Sequence, residues 1–102
     1  MITINGLNWG VHFVSPFNSN LHTSSGKQAL GCCDNEKRII YIAKGLNPVE
    51  LKVVLYHELT HAVIFSYDIS MPKREEEKFA ELISYHGDEI NSLYKQIKGV
   101  IQ

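Results

Sequence analysis

The chain has 102 residues, of which 44% are hydrophobic and 21% charged, the balance of one folded globular domain rather than of a disordered chain. Ten basic residues against eleven acidic ones give a formal net charge of −1, and Lys73-Arg74 and Lys95/Lys98 are too short to form the basic footprint of a nucleic-acid-binding protein. There is no charged start followed by an apolar stretch and no apolar run of membrane-spanning length, so a cytoplasmic location is expected, with no membrane partner.

The first half reads as short strands. Ile2 to Ile4 and Trp9 to Val14 form two of them, with Asn5-Gly6 as the turn between. Ser15 to Lys27 is rich in Pro, Asn, Ser and Gly and reads as a loop; its "SSGKQ" is not a phosphate-binding loop, because Leu21 stands where that pattern needs glycine. Ala29 to Cys33 and Arg38 to Ala43 pair as an antiparallel hairpin, the second being rich in β-branched residues. Cys32 and Cys33 are neighbours, unsuited to an ordinary disulfide, and read as small apolar residues.

A helix then starts with a strong signal. Asn47 is a good N-cap, Pro48 suits the first helical position, and Glu50 completes a capping box. From Val49 to about Ser66 this helix is apolar on nearly every side, which belongs in the middle of a domain. After a connector from Tyr67 to Pro72, a second, amphipathic helix is expected from near Met71, with Phe79, Leu82, Ile83, Ile90, Leu93, Tyr94 and Ile97 on one face and Gly87 as a weak point. The fold class is therefore α+β: a small antiparallel sheet of short N-terminal strands on a central helix, followed by a C-terminal amphipathic helix, in a single domain spanning 1–102.

The apolar helix contains His57-Glu58-Leu59-Thr60-His61, an H-E-x-x-H pattern. Residues four apart share a helix face, so both imidazoles can reach one metal ion. Glu58, turned by about 100° from His57, can flank that ion and take a proton from a water whose pKa the metal lowers. Two histidines and a glutamate can also be ordinary surface residues. Here they interrupt an otherwise apolar helix, where ionisable groups are costly unless paired or metal-bound.

A catalytic zinc usually takes a third protein ligand. The metzincin extension is excluded, since Ile64 and Tyr67 stand where it needs Gly and His. Glu75, Glu76, Glu77, Glu81 and His86 compete from the next helix. With Phe79, Ile83, Ile90 and Ile97 taken as the inward face, Glu77 and Glu81 point away, Glu75 and Glu76 flank it, and His86 lies near its centre. Glu76 is preferred because the small Ala80 one turn later allows close approach, with Glu75 and His86 as alternatives. Some of the acidic run needs no function, since acidic side chains favour the first turn of any helix.

The order of hairpin, "HELTHA" helix and "EEEKFAELI" helix resembles the minimal zincin-type metallopeptidases of phages and prophages, related in pattern to the ImmA/IrrE-like and gluzincin peptidases. The resemblance spans about Gly31 to Ile90. It implies a zincin-like fold and hydrolysis of peptide bonds at one zinc ion held by His57, His61 and Glu76, with Glu58 as general base and a host-cell cytoplasmic setting. It also implies that a hairpin strand receives an extended substrate peptide, a regulatory protein being one such substrate. The ImmA-like pattern places Ala-Asn shortly before Phe-Ala, whereas Glu76-Glu77-Lys78 precedes Phe79-Ala80 here, and that alignment shifts the ligand to Glu75.

Tyr41, Tyr56, Tyr67, Tyr85 and His86 are candidate extra proton donors, and Asp34 or Asp68 candidate acceptors for a ligand histidine's outer nitrogen. His12 and His22 read as structural or exposed. Besides a zinc peptidase, the residues admit a non-catalytic zinc-binding interaction protein on the same scaffold, and a helical domain without metal.

Overall fold

A computed structural model describes residues 1–22 and 29–101 of the chain. Four strands and two helices follow in order: β1 (Ile2–Ile4), β2 (Leu7–Val14), β3 (Gly31–Asp34), β4 (Ile39–Ala43), α1 (Pro48–Ser66) and α2 (Lys73–Ile101). The "SSGKQ" segment lies outside the described residues.

Turn chemistry builds two hairpins. Asn5 and Gly6 both take positive φ, 47° and 78°, the left-handed pair that a two-residue hairpin turn demands, and Ile4 pairs with Leu7 across it. β3 and β4 pair antiparallel from Asp34–Ile39 to Gly31–Ile42. The expected all-antiparallel sheet is corrected at the junction of these hairpins. The order is β1-β2-β4-β3, and β2 runs parallel to β4, from Gly10–Ile39 to Val14–Ala43. Short turns determine pairing within a hairpin. The long crossover after Val14 decides how the two hairpins meet, and it returns the chain to run alongside β2.

β4 is the central strand, covered on both faces, which is why its sequence is almost uninterruptedly apolar. Ile40 and Ile42 face α1 in a core with Trp9 and Ala62, flanked by Val54, Leu55 and Leu59. Tyr41 and Ala43 face the other way and bury Leu21 of the crossover.

The start of α1 is as expected. Asn47 Oδ1 accepts from the Glu50 amide at 2.8 Å, and Glu50 accepts from the Asn47 amide at 3.2 Å. Its end is held by the first hairpin, where Trp9 Nε1 donates to Ser66 Oγ at 2.9 Å and Asn5 Nδ2 to the Ser66 carbonyl at 2.9 Å. These bonds fix the helix at its far end while Gly31 fixes its approach to β3. A side chain added at Gly31 would stand 2.7 Å from Val54 Cγ1 and 3.0 Å from Glu58 Cγ. Only a residue without Cβ lets the strand come this close.

α2 begins at Lys73 rather than near Met71, with the Pro72 carbonyl accepting from the amides of Glu75 and Glu76. It runs unbroken through Gly87, which lies beside the Tyr56 ring. Its orientation overturns the expected inward face. The buried positions are Ala80 and Ser84, whereas Phe79, Ile90 and Ile97 are all more than half exposed. The inward face was assigned by hydrophobicity, but α2 meets α1 through its small residues, which allow the two backbones to approach.

Candidate metal centre

His57 and His61 lie one turn apart on α1, their rings edge-on with centroids 5.0 Å apart. The Nε2 atoms of both rings converge on one carboxylate. Glu77 Oε2 lies 3.1 Å from His57 Nε2, and Glu77 Oε1 lies 3.2 Å from His61 Nε2. Among the described residues, His57, His61 and Glu77 form a group that can hold a metal ion, with ligand atoms within 4.8 Å of one another. With zinc–ligand bonds of about 2.0 Å, the edge of a tetrahedral site is about 3.3 Å. Each nitrogen lies about that far from its own Glu77 oxygen, and all three ligand atoms fall within 4.8 Å of one another, so the three side chains are placed to draw in around one ion.

Glu76 occupies a different place from the one expected. Its carboxylate contacts His61 Nδ1, the nitrogen that faces away from the shared carboxylate. A carboxylate on the outer nitrogen fixes the tautomer and the ring orientation of a ligating histidine. The adjacent glutamates thus divide between two nitrogens of one ring. Glu77, placed away from the inward face by sequence phase, is the residue that reaches both Nε2 atoms. The physical reason is the face reversal of α2: with Ala80 and Ser84 against α1, Glu76 and Glu77 straddle the contact.

Glu75 and Glu81 are exposed. His86 is also exposed and pairs with Glu89 at 3.2 Å, so it does not stand on the inward face. The other expected donors also lie elsewhere. Tyr41 packs edge-on against His12 on the far side of the sheet, Tyr56 donates to Asp88 at 2.6 Å, and Tyr67 and Tyr85 are exposed. Asp34 accepts from the Lys37 amide in the hairpin turn, and Asp68 sits in the helix connector with φ 53°. Neither is the acceptor for a ligand histidine.

Glu58 is buried at 8% exposure and sits on the wall of the same cleft, beneath Gly31. Burial raises its carboxyl to about 7, with His61 opposing the shift and Glu77 adding to it. The cleft has a volume of about 600 Å³ and is bounded on one side by residues 29–33 and on the other by α1 and the start of α2. β3 is the last strand of the sheet and pairs only with β4 among the described residues. Cys33 also lines the cleft, its thiol pushed up to about 12 by burial and by the nearby Glu58. This keeps it protonated and unreactive at neutral pH.

His22 and Lys73 line the cleft too. No sequence signal marks His22, which reads as structural or exposed, because a crossover segment brings it there. For Glu77 a signal was present: Ala80, Ser84 and Gly87 recur at helical spacing and mark the close-packing face.

Comparison with family models, with curated proteins and with solved structures finds no match to this chain. Among the described residues, no helix is long and apolar enough to cross a membrane.

Proposed function

We propose that the chain is a zinc-dependent peptidase, with His57, His61 and Glu77 as the metal ligands, Glu58 as general base and Glu76 orienting His61. The observation that carries this reading is the convergence of both Nε2 atoms on the Glu77 carboxylate, with the buried Glu58 on the same cleft wall. Three ligands of N, N and O type suit zinc and leave a fourth position for water. Bound there, zinc supplies a water of lowered pKa and polarises a carbonyl oxygen.

The chain's own residues do the rest. Glu58 accepts the proton of the attacking water and delivers it to the departing amine; a carboxyl held near neutrality by burial suits both transfers. Glu76 holds His61 in the tautomer that leaves Nε2 free to ligate. β3, which pairs only with β4 among the described residues, offers main-chain amides and carbonyls to an extended peptide, which strand addition would lay along the cleft. β4 is interior and cannot serve in this way. A protein or peptide is therefore the proposed substrate. The phage zincin-type resemblance of the "HELTHA" and "EEEKFAELI" helices supports the same reaction class and, by analogy alone, a regulatory protein as the target.

Elemental mass spectrometry of purified protein tests the metal: about one zinc per chain is expected, lost in the His57→Ala/His61→Ala double variant. A peptide-library digest tests the chemistry. Zinc-loaded wild type should cleave, and Glu58→Gln should keep its zinc while losing activity by at least about 100-fold. Zinc retained with no cleavage by wild type would favour a metal-binding interaction protein instead.

A further inference from the structure

A stripe of largely apolar residues runs along α2 beside the α1 contact, half-buried at Ile83 and exposed beyond it. Along α2, Ile83, Ile90 and Ile97 recur every seven residues. Phe79, His86, Leu93 and Val100 also recur every seven, offset so that the combined spacing alternates between four and three. That is the heptad pattern of a coiled-coil seam, sustained for about three heptads. On a helical wheel the seam is centred about 100° from the Ala80–Ser84–Gly87 face. α2 can therefore pack on α1 with one face and on another helix with its flank.

From Asp88 through Val100 every described side chain is exposed, including Ile90 at 53%, Ile97 at 61% and Val100 at 86%. Phe79 at 51% and Leu93 at 49% continue the stripe, and a contiguous exposed apolar patch of this kind marks an interaction site.

We infer that the stripe is the interface of a homodimer, in which the α2 helices of two copies pair in parallel and in register as a two-stranded coiled coil. The choice of a second copy rests on the seam itself. Isoleucine stands at all three a positions, the β-branched choice that favours two parallel strands, while the d positions hold Phe79, His86, Leu93 and Val100. The flanks also suit self-pairing: Glu89 at g faces Tyr94 at e of the other copy, so no like charges oppose one another there. The charged residues Glu81, Asp88, Lys95 and Lys98 lie at outward positions. This assembly goes beyond the peptidase reading and does not depend on it.

Sedimentation equilibrium of the full chain, from low micromolar to submillimolar concentration, tests the inference. A mass twice that of the chain is expected, reverting to a single chain in Ile90→Lys/Ile97→Lys. Unchanged near-ultraviolet dichroism of the core Trp9 would show that this variant remains folded. Leu93→Cys and Val100→Cys, introduced singly, should each form a cross-linked dimer on mild oxidation, because only an in-register parallel pair brings both positions to their own counterparts. A monomer at every concentration would overturn the inference and leave the stripe to a different protein or a lipid surface. A dimer indifferent to the two lysines, or cross-linking at only one cysteine, would overturn it as well.

Discussion

The two helices invert the usual relation between polarity and burial. α1 is apolar around most of its circumference, yet Glu58 is among its most buried residues while Val63 and Phe65 are 41% and 43% exposed. α2 is strongly amphipathic, yet its apolar stripe faces solvent and its buried contacts are Ala80 and Ser84. What orders both helices is close approach. α1 lies near enough to β3 that only glycine fits at position 31, and α2 lies near enough to α1 that small residues line the contact. A polar site at such a junction is held by backbone proximity, with His57 and His61 paired to Glu76 and Glu77 and Glu58 set against the strand.

The largest test of that picture sets the two adjacent glutamates of α2 against each other. Glu77→Gln should weaken zinc binding by more than about 100-fold, as loss of a ligand, and Glu76→Gln by about 10- to 100-fold, as loss of an orienting partner. Competition with a chromophoric chelator measures both. The reverse order would return Glu76 to the metal and break the assignment drawn from the α2 face.

The buried carboxylate of α1 makes a prediction about the metal-free protein. Glu58 titrates at about 7 in the folded chain against an ordinary 4.5, so the fold prefers its protonated form. Below pH 4.5 it is protonated in both states and costs nothing. As pH rises from 4.5 to 7 the unfolded chain releases this proton while the folded chain retains it, and stability falls to a full penalty of at most about 3 kcal/mol. Metal-free Glu58→Gln should therefore be more stable than wild type at pH 8 and equal to it near pH 4, as measured by urea denaturation. No difference at pH 8 would mean that the ionised carboxylate is not penalised.

Gly31→Ala probes the approach of β3 to α1. Its Cβ would overlap Val54 and crowd Glu58, at a cost of about 1–3 kcal/mol, seen as a lower melting temperature. Tolerance of alanine would show that the strand can retreat. The smallest effect is expected at the exposed start of α1, where Asn47→Ala removes one half of the capping box and should cost about 1 kcal/mol in the same melt, leaving zinc affinity unchanged.

Local features of the chain were legible without the structure. Asn5-Gly6 specifies its turn because both residues tolerate positive φ, Asn47-Pro48 with Glu50 marks the start of α1, and His57 and His61 share a face because they are four apart. Each depends on residues a few positions apart, whose geometry the backbone itself imposes. The carboxylate that meets both Nε2 atoms, the parallel pairing of β2 with β4 and the outward turn of the α2 stripe all depend on segments brought together from far along the chain. Hydrophobic periodicity locates an apolar face but does not say what covers it. For α2 that was decided in three dimensions, where the small side chains of Ala80, Ser84 and Gly87 allowed the closest packing against α1 and so set Glu77 across from both histidines.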